Sequence, residues 1–171
     1  MATYRGRFGT LMVVTISACT HAGSPAAPAA VSSSPAKAEP RPAKVARLVA
    51  LPAESATYPK LARAATDSLA HAEVSGLGPA QVSKVSLEVV QIAIECVDPS
   101  LTCYQAVGRS LTASGLLFAQ IAAVKRRQLK ITVTLFDVDA KAAKTKAEKV
   151  FSSEDEATAG IADLVAEATR P

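Results

Sequence analysis

Few residues in this chain of 171 could do covalent or ligand chemistry: Cys19, Cys96 and Cys103, together with His21 and His71. Cys96 and Cys103 stand seven residues apart, with no histidine or further cysteine nearby to complete a four-ligand metal set. His21 lies among small residues and prolines, and His71 follows an alanine-rich segment where a helix should end, so neither has the partner a general base needs. Ser110, close to Gly108, forms no G-x-S-x-G nucleophile elbow, and H-E-x-x-H and phosphate-cradling glycine loops are absent from the sequence. No catalytic residue, metal ligand or cofactor is therefore expected, and the function reads as non-enzymatic. The dense charge cluster is Lys125-Arg126-Arg127, with Lys130 just beyond, and these four are the candidate partner-binding residues. They suit an acidic protein, an anionic lipid or a glycan, against the plainer alternative of a solvated turn. Lys141, Lys144, Lys146 and Lys149 form a second basic stretch that could face the same way.

The elements that position these residues begin with an export signal. Met1 to Arg7 carries two positive charges and no acid, and Phe8 to Ala18 is an apolar run too short to span a bilayer. That run ends in Ile16-Ser17-Ala18-Cys19, which resembles the bacterial lipobox. The resemblance implies cleavage before Cys19, a diacylglyceryl thioether on its sulfur and an acyl chain on its new amino group. Several chains together give stable anchoring where a single one is marginal. An aspartate after the cysteine favours inner-membrane retention in Gram-negative lipoproteins. Thr20 stands there instead, so the resemblance implies a lipid anchor in the outer membrane, facing the periplasm. The alternatives are an ordinary signal peptide cleaved near Ala18 and an uncleaved anchor. Losing Arg5 and Arg7 with the leader lowers the formal charge from +4 to +2, which weakens any case for a nucleic-acid partner. In an oxidising compartment the remaining even pair, Cys96 and Cys103, reads as a structural disulfide, with free thiols or a redox role as alternatives. Closing that loop should contribute about 2.5 kcal/mol on the chain-entropy account.

Residues 19–44 are rich in proline, alanine and serine and hold hardly a large apolar side chain, so they read as a solvated tether reaching at most about 75 Å. Residues 45–171 are periodic and proline-poor, enough for one modest domain. The chain is 49% hydrophobic but only 4% aromatic, and 35 residues are alanine, so its core must be built largely from small side chains. Val45–Leu51 reads as a buried strand, and Ser55–Ala72 as a helix with Tyr58, Leu61, Ala65, Leu69 and Ala72 on its inner face. Glu73–Gly78 suggests a brief edge strand or turn. Pro79 opens a stretch in which Val82, Val85, Val89, Ile92 and Cys96 fall three or four residues apart, which favours a second helix, although the valines also permit a strand. Ser100 or Thr102 should cap a third helix that runs to about Thr112. Gly115–Val124 and Leu129–Phe136 predict an antiparallel hairpin with one buried face, where Leu129, Ile131, Val133 and Leu135 alternate with Lys130, Thr132 and Thr134. Lys144–Phe151 returns as a further strand. Ser153-Glu-Asp-Glu156 predicts a reciprocal capping box opening a last helix, with Ala157, Ile161, Leu164, Val165 and Ala168 inward. The order β-α-β-α-α-β-β-β-α predicts an α+β (mixed α/β) fold, a mixed sheet with its helices packed on one face.

The stretch Cys96-Val-Asp-Pro-Ser-Leu-Thr-Cys103-Tyr-Gln-Ala-Val-Gly108, followed by Leu116-Leu-Phe-Ala-Gln and Ile131-Thr-Val-Thr-Leu-Phe-Asp-Val138, resembles a group of envelope proteins frequent in myxobacteria. These are similar to the amino-terminal domain of TolB and to the globular part of the lipoprotein activator of a bifunctional penicillin-binding protein. The resemblance implies an outer-membrane lipoprotein whose tethered periplasmic domain binds another envelope protein as an adaptor or activator. A peptidoglycan- or glycan-binding lipoprotein is the alternative, and a hydrolytic enzyme has the weakest support. Replacing Cys19 by alanine should abolish incorporation of radiolabelled palmitate, and undiminished label on the variant would exclude lipidation at that residue.

Overall fold

In the computed structural model, which describes residues 46–170 apart from 97 and 125–127, the apolar run that opens the domain becomes β1 (Leu48–Ala50), buried on both faces. Helix α1 (Pro59–Ala70) follows, its proline in the first turn, where the missing N–H loses no helical partner. It buries Leu61, Ala62, Ala65 and Leu69, the expected face. Two short strands, β2 (Glu73–Val74) and β3 (Gly78–Pro79), pair with each other, and β4 (Gln81–Val82) runs parallel to β1. Helices α2 (Leu87–Ala93) and α3 (Leu101–Ser110) are opened by Ser86 and Ser100, whose hydroxyls accept the N–H of Val89 and Cys103. A meander of β5 (Gly115–Ala123), β6 (Leu129–Asp137) and β7 (Ala142–Phe151) leads into α4 (Glu154–Thr169).

The five-stranded sheet has the order β4-β1-β5-β6-β7, with β1 parallel to both neighbours and the rest antiparallel. This is the expected α+β class. The helices, however, do not share one face of the sheet, as the sequence had suggested. Leu48, Ala50 and Leu117 join Leu129, Ile131 and Val133 in a core beneath α1 and α4, whereas Val49, Leu51, Leu116, Phe118 and Phe136 join a second core beneath α2 and α3. Connection handedness supplies the reason. The path from β1 to β4 steps outward in one direction, and the path from β4 to β5 steps back past β1 in the other. Two right-handed crossovers of opposite direction place their helices on opposite faces. Accordingly β1 and the first half of β5 are unbroken apolar runs, buried on both sides, as strands between two helical layers are. The hairpin therefore has two buried faces near α2 and α3, not the single one expected.

Between residues 79 and 96 the sequence misleads. Pro79 closes β3 and Val82 sits in β4, so the helix starts only at Leu87 and buries Leu87 and Val90. The valine stripe faces outward, with Val82 46%, Val85 38%, Val89 45% and Ile92 69% exposed. Periodicity marks a face without saying what covers it. At α4 the cap also differs in detail. Ser153 Oγ accepts the Glu156 N–H at 3.2 Å, but the Glu156 carboxylate accepts from the Ser152 N–H and hydroxyl, one residue earlier than a reciprocal box requires. The expected inner face of α4, Ala157 to Ala168, is buried as predicted. Among the described residues no helix is long and apolar enough to cross a membrane.

Two glycines let layers close. A Cβ on Gly160 of α4 would lie 2.7 Å from Cε1 of the buried Phe151 ring, and one on Gly108 of α3 would lie 2.3 Å from Cγ2 of Val138. Val138 is β-branched and buried, so it has no spare rotamer with which to yield. Replacing Gly108 by alanine should thus destabilise the domain by about 2 kcal/mol in chemical denaturation, overpacking outweighing the helix-propensity gain of about 1 kcal/mol.

Candidate functional site

Of the residues singled out in the sequence, Cys19, Lys125, Arg126 and Arg127 lie outside the described residues. Cys96 and Cys103 are joined by a disulfide with their Cα atoms 5.6 Å apart. It links the segment after α2 to the first turn of α3, and Gln91 Nε2 donates to Cys103 Sγ at 3.3 Å. The bond thereby staples the α2–α3 layer, each helix of which is too short to be stable alone. His71 caps the end of α1, its ring Nδ1 2.7 Å from the Asp67 carbonyl oxygen. It is exposed and engaged in a helix terminus, beside a cavity of about 450 Å³ between α1 and α4.

Lys130 is the candidate whose surroundings the structure shows. It lies on the α2–α3 side of β6, where Thr132 and Thr134 follow at alternate positions, and the register sets Val150, Glu148 and Lys146 of β7 opposite them. The face is mixed: Lys130 is half-buried, Thr132 and Thr134 are buried, and Lys146 and Glu148 are exposed. Glu148 organises it: its carboxylate accepts from Thr132 Oγ1 at 3.0 Å and lies 3.5 Å from Lys130 Nζ and 3.4 Å from Lys146 Nζ. The Thr132 hydrogen bond, reinforced by Lys146 and Lys130, holds the Glu148 carboxyl below the usual carboxylate range. One carboxylate thus faces two ammonium groups, and this face keeps positive charge. The second basic stretch does not face one way. Lys146 joins this group, while Lys149 lies opposite Ile131 on the other face with its ammonium 5.0 Å from the Phe151 ring centroid. Exposed lysines along β7 also suit the outer edge of a sheet, where charge opposes pairing with another strand.

Where α3 meets the sheet, Tyr104 packs against Phe118 at 5.1 Å and Phe136 at 5.7 Å between ring centroids. Burial pushes its hydroxyl above the ordinary tyrosine value, against a hydrogen bond with Gln120 that pulls it down. At the β4 edge, Arg47 and Lys84 line one cavity of about 340 Å³. Sequence reasoning missed Glu148, Tyr104, Arg47 and Lys84. The alternation of Lys130, Thr132 and Thr134 marks a polar face, but no local pattern marks a partner sixteen residues away across the sheet or a pair of cations 37 positions apart. Among the described residues, no three His, Cys, Asp or Glu side chains converge to hold a metal ion.

Because the folded-state pKa of Glu148 is lowered, its contribution to stability is present above the unfolded carboxylate pKa and is lost as pH falls through the folded value. Thr132→Val removes the principal cause. It should move the Glu148 midpoint upward in an NMR titration, towards that of a free carboxylate, without unfolding the domain.

No protein-family model and no curated protein sequence matches the chain. Among solved structures, the fold is similar to the PelC dodecamer from Paraburkholderia phytofirmans, with a TM-score of 0.43 and 14% identity over 74% of this chain and 89% of that one. A single-residue variant of the same dodecamer aligns with a TM-score of 0.41 and 13% identity over 75% of this chain and 92% of the other.

Proposed function

We propose that this chain is a lipid-anchored protein of the outer membrane whose periplasm-facing domain binds another envelope protein as an adaptor or activator, catalysing no reaction itself. One observation carries the reading: the domain exposes aliphatic side chains, while its three described phenylalanines are buried and Tyr58 and Tyr104 are half-buried against the cores. Val82, Val85, Val89 and Ile92 stand uncovered along β4 and α2, and Leu101 is 51% exposed at the start of α3. Exposed apolar side chains grouped in this way, rimmed by polar residues, suit a protein partner that buries them. A glycan would instead need open aromatic faces for stacking. Phe118, Phe136 and Phe151 are fully buried, and Tyr104 is turned against two of them. The positive sheet face around Lys130 and Lys146 would speed encounter with an acidic partner more than it would add affinity. A tether anchored at Cys19 would hold the domain within a fixed radius and raise its effective concentration at that partner.

Site-specific photo-crosslinking in intact envelopes tests this. A crosslinker at Ile92 should give a discrete protein adduct, while one at exposed Lys60 on α1 should not. Val89→Asp should cut the Ile92 adduct by about tenfold or more while leaving the fold intact, since surface changes usually cost within about 0.5 kcal/mol. Retention on peptidoglycan with no protein adduct would replace the proposal by the glycan-binding reading.

A further inference from the structure

Arg47 enters β1 on the side shared by Val49 and Leu51, with its backbone held by the N–H groups of Ser114 at 2.9 Å and Gly115 at 3.1 Å, both donating to its carbonyl. Its Nη1 donates to Thr112 Oγ1 at 3.0 Å, while its Nε is buried with no acceptor among the described residues. Thr112 is itself unusual. It follows α3 in the left-handed region, φ +52°, and closes the helix through bonds from its own N–H to Arg109 and from the Ala113 N–H to Gly108. Glycine normally fills that position, because a β-branched residue is strained there. Strain of this kind, retained where the side chain orients a guanidinium, is an outlier that points to function.

The oriented guanidinium faces a cavity of about 340 Å³ that also receives Lys84, the polar side chains of Gln81 and Ser83, and apolar walls from Val49 and Val82. Two cations and no carboxylate line it. Among the described residues neither cation is ion-paired. From this cavity the exposed aliphatic residues Val85, Val89 and Ile92 continue along the chain. We propose that the cavity is a carboxylate-binding site, which takes an acidic side chain presented by an apolar segment of the partner protein. A planar guanidinium with its position preset suits bidentate pairing with a carboxylate, and the ammonium adds a second donor. Apolar walls suit the flanks of a peptide strand better than a small hydrated anion. The inference rests on the partner-binding reading and deepens it by naming the recognised group.

The purified full-length chain, in detergent, is titrated with a fluorescein-labelled, amidated peptide of sequence Val-Leu-Glu-Val-Ile and with its Gln counterpart. The glutamate peptide should bind saturably, and the glutamine peptide about tenfold more weakly or worse, as expected when a charge-assisted pair is lost. Arg47→Gln should weaken the glutamate peptide at least as much, Lys84→Gln should weaken it by a smaller factor, and added salt should weaken it further. Thr112→Gly separates positioning from mere structure: it should raise the melting temperature by relieving strain while lowering affinity for the glutamate peptide. Equal binding of both peptides, absence of saturable binding, or unchanged affinity in Arg47→Gln would each overturn the site. Complete competition by inorganic phosphate at concentrations matching the peptide would assign it to a phosphoryl group instead. If Arg47→Gln loses the peptide but keeps the Ile92 crosslink, the site stands and is separate from the main contact. If the crosslink fails while peptide binding holds, only the wider reading of function falls.

Discussion

The structure depends on one constraint, the handedness of the connections about β1. This strand is only three residues long, yet it has a parallel neighbour on each side. Each parallel neighbour requires a crossover, and right-handed crossovers leaving in opposite directions must cover opposite faces. From that follow the two cores, the apolar character of both faces of β1, and the placing of α1 with α4 on one side and α2 with α3 on the other. With so few aromatic residues, the cores close through small side chains and close approach. Alanines of α1 and α4 pack at near-zero exposure, and glycines at 108 and 160 admit Val138 and Phe151 where a Cβ would not fit. Leucine and alanine pairs bury less area per residue than aromatic ones, so packing density must supply what bulk does not.

The same constraint leaves surfaces behind. Helices α2 and α3 are short, seven and ten residues, and on their face Tyr104 of α3 reaches Phe118 of β5 and Phe136 of β6. Farther along that face Lys130, Lys146 and Glu148 are at least partly open to water, while Thr132 and Thr134 are buried among them. At the other end, α2 gives Leu87 and Val90 to the core, and among the described residues Val89 and Ile92 stay exposed. The cavity at Arg47 lies beside β4, an outer edge of the sheet, where no further strand of the described residues pairs. Each surface is thus what remains when a five-stranded sheet is covered by helices of unequal length.

Much of the fold was legible in the order of residues because many of its signals are local. The inner faces of α1 and α4 follow from period, the opening serines Ser100 and Ser153 have the side chains that satisfy a free N–H, and the alternation along β6 matches the pleat. Between residues 79 and 96 the local signal misleads, because valines at helical spacing there do not face a core. There Val82 had been claimed by a parallel pairing with Ala50, a contact 32 positions distant. It misleads again at Glu156, where a neighbouring serine at 152 offered two donors against one at 153. Of the candidate site, the sequence pointed to Lys130 and to the two cysteines, but not to Glu148 or Arg47, whose significance lies in what is brought to them.

The sequence by itself determined the elements that depend on neighbours within a turn or a pleat, the α+β class that their order implies, and the pairing partners available to Cys96 and Cys103, since no other cysteine remains in the domain. Tertiary structure alone decided which face each helix covers, which apolar stripe is left in water, and which cations meet in one cavity. The physical reason is that periodicity encodes a difference between two sides of an element, whereas burial and charge at a site depend on what the rest of the chain places against them, across separations that no local pattern records.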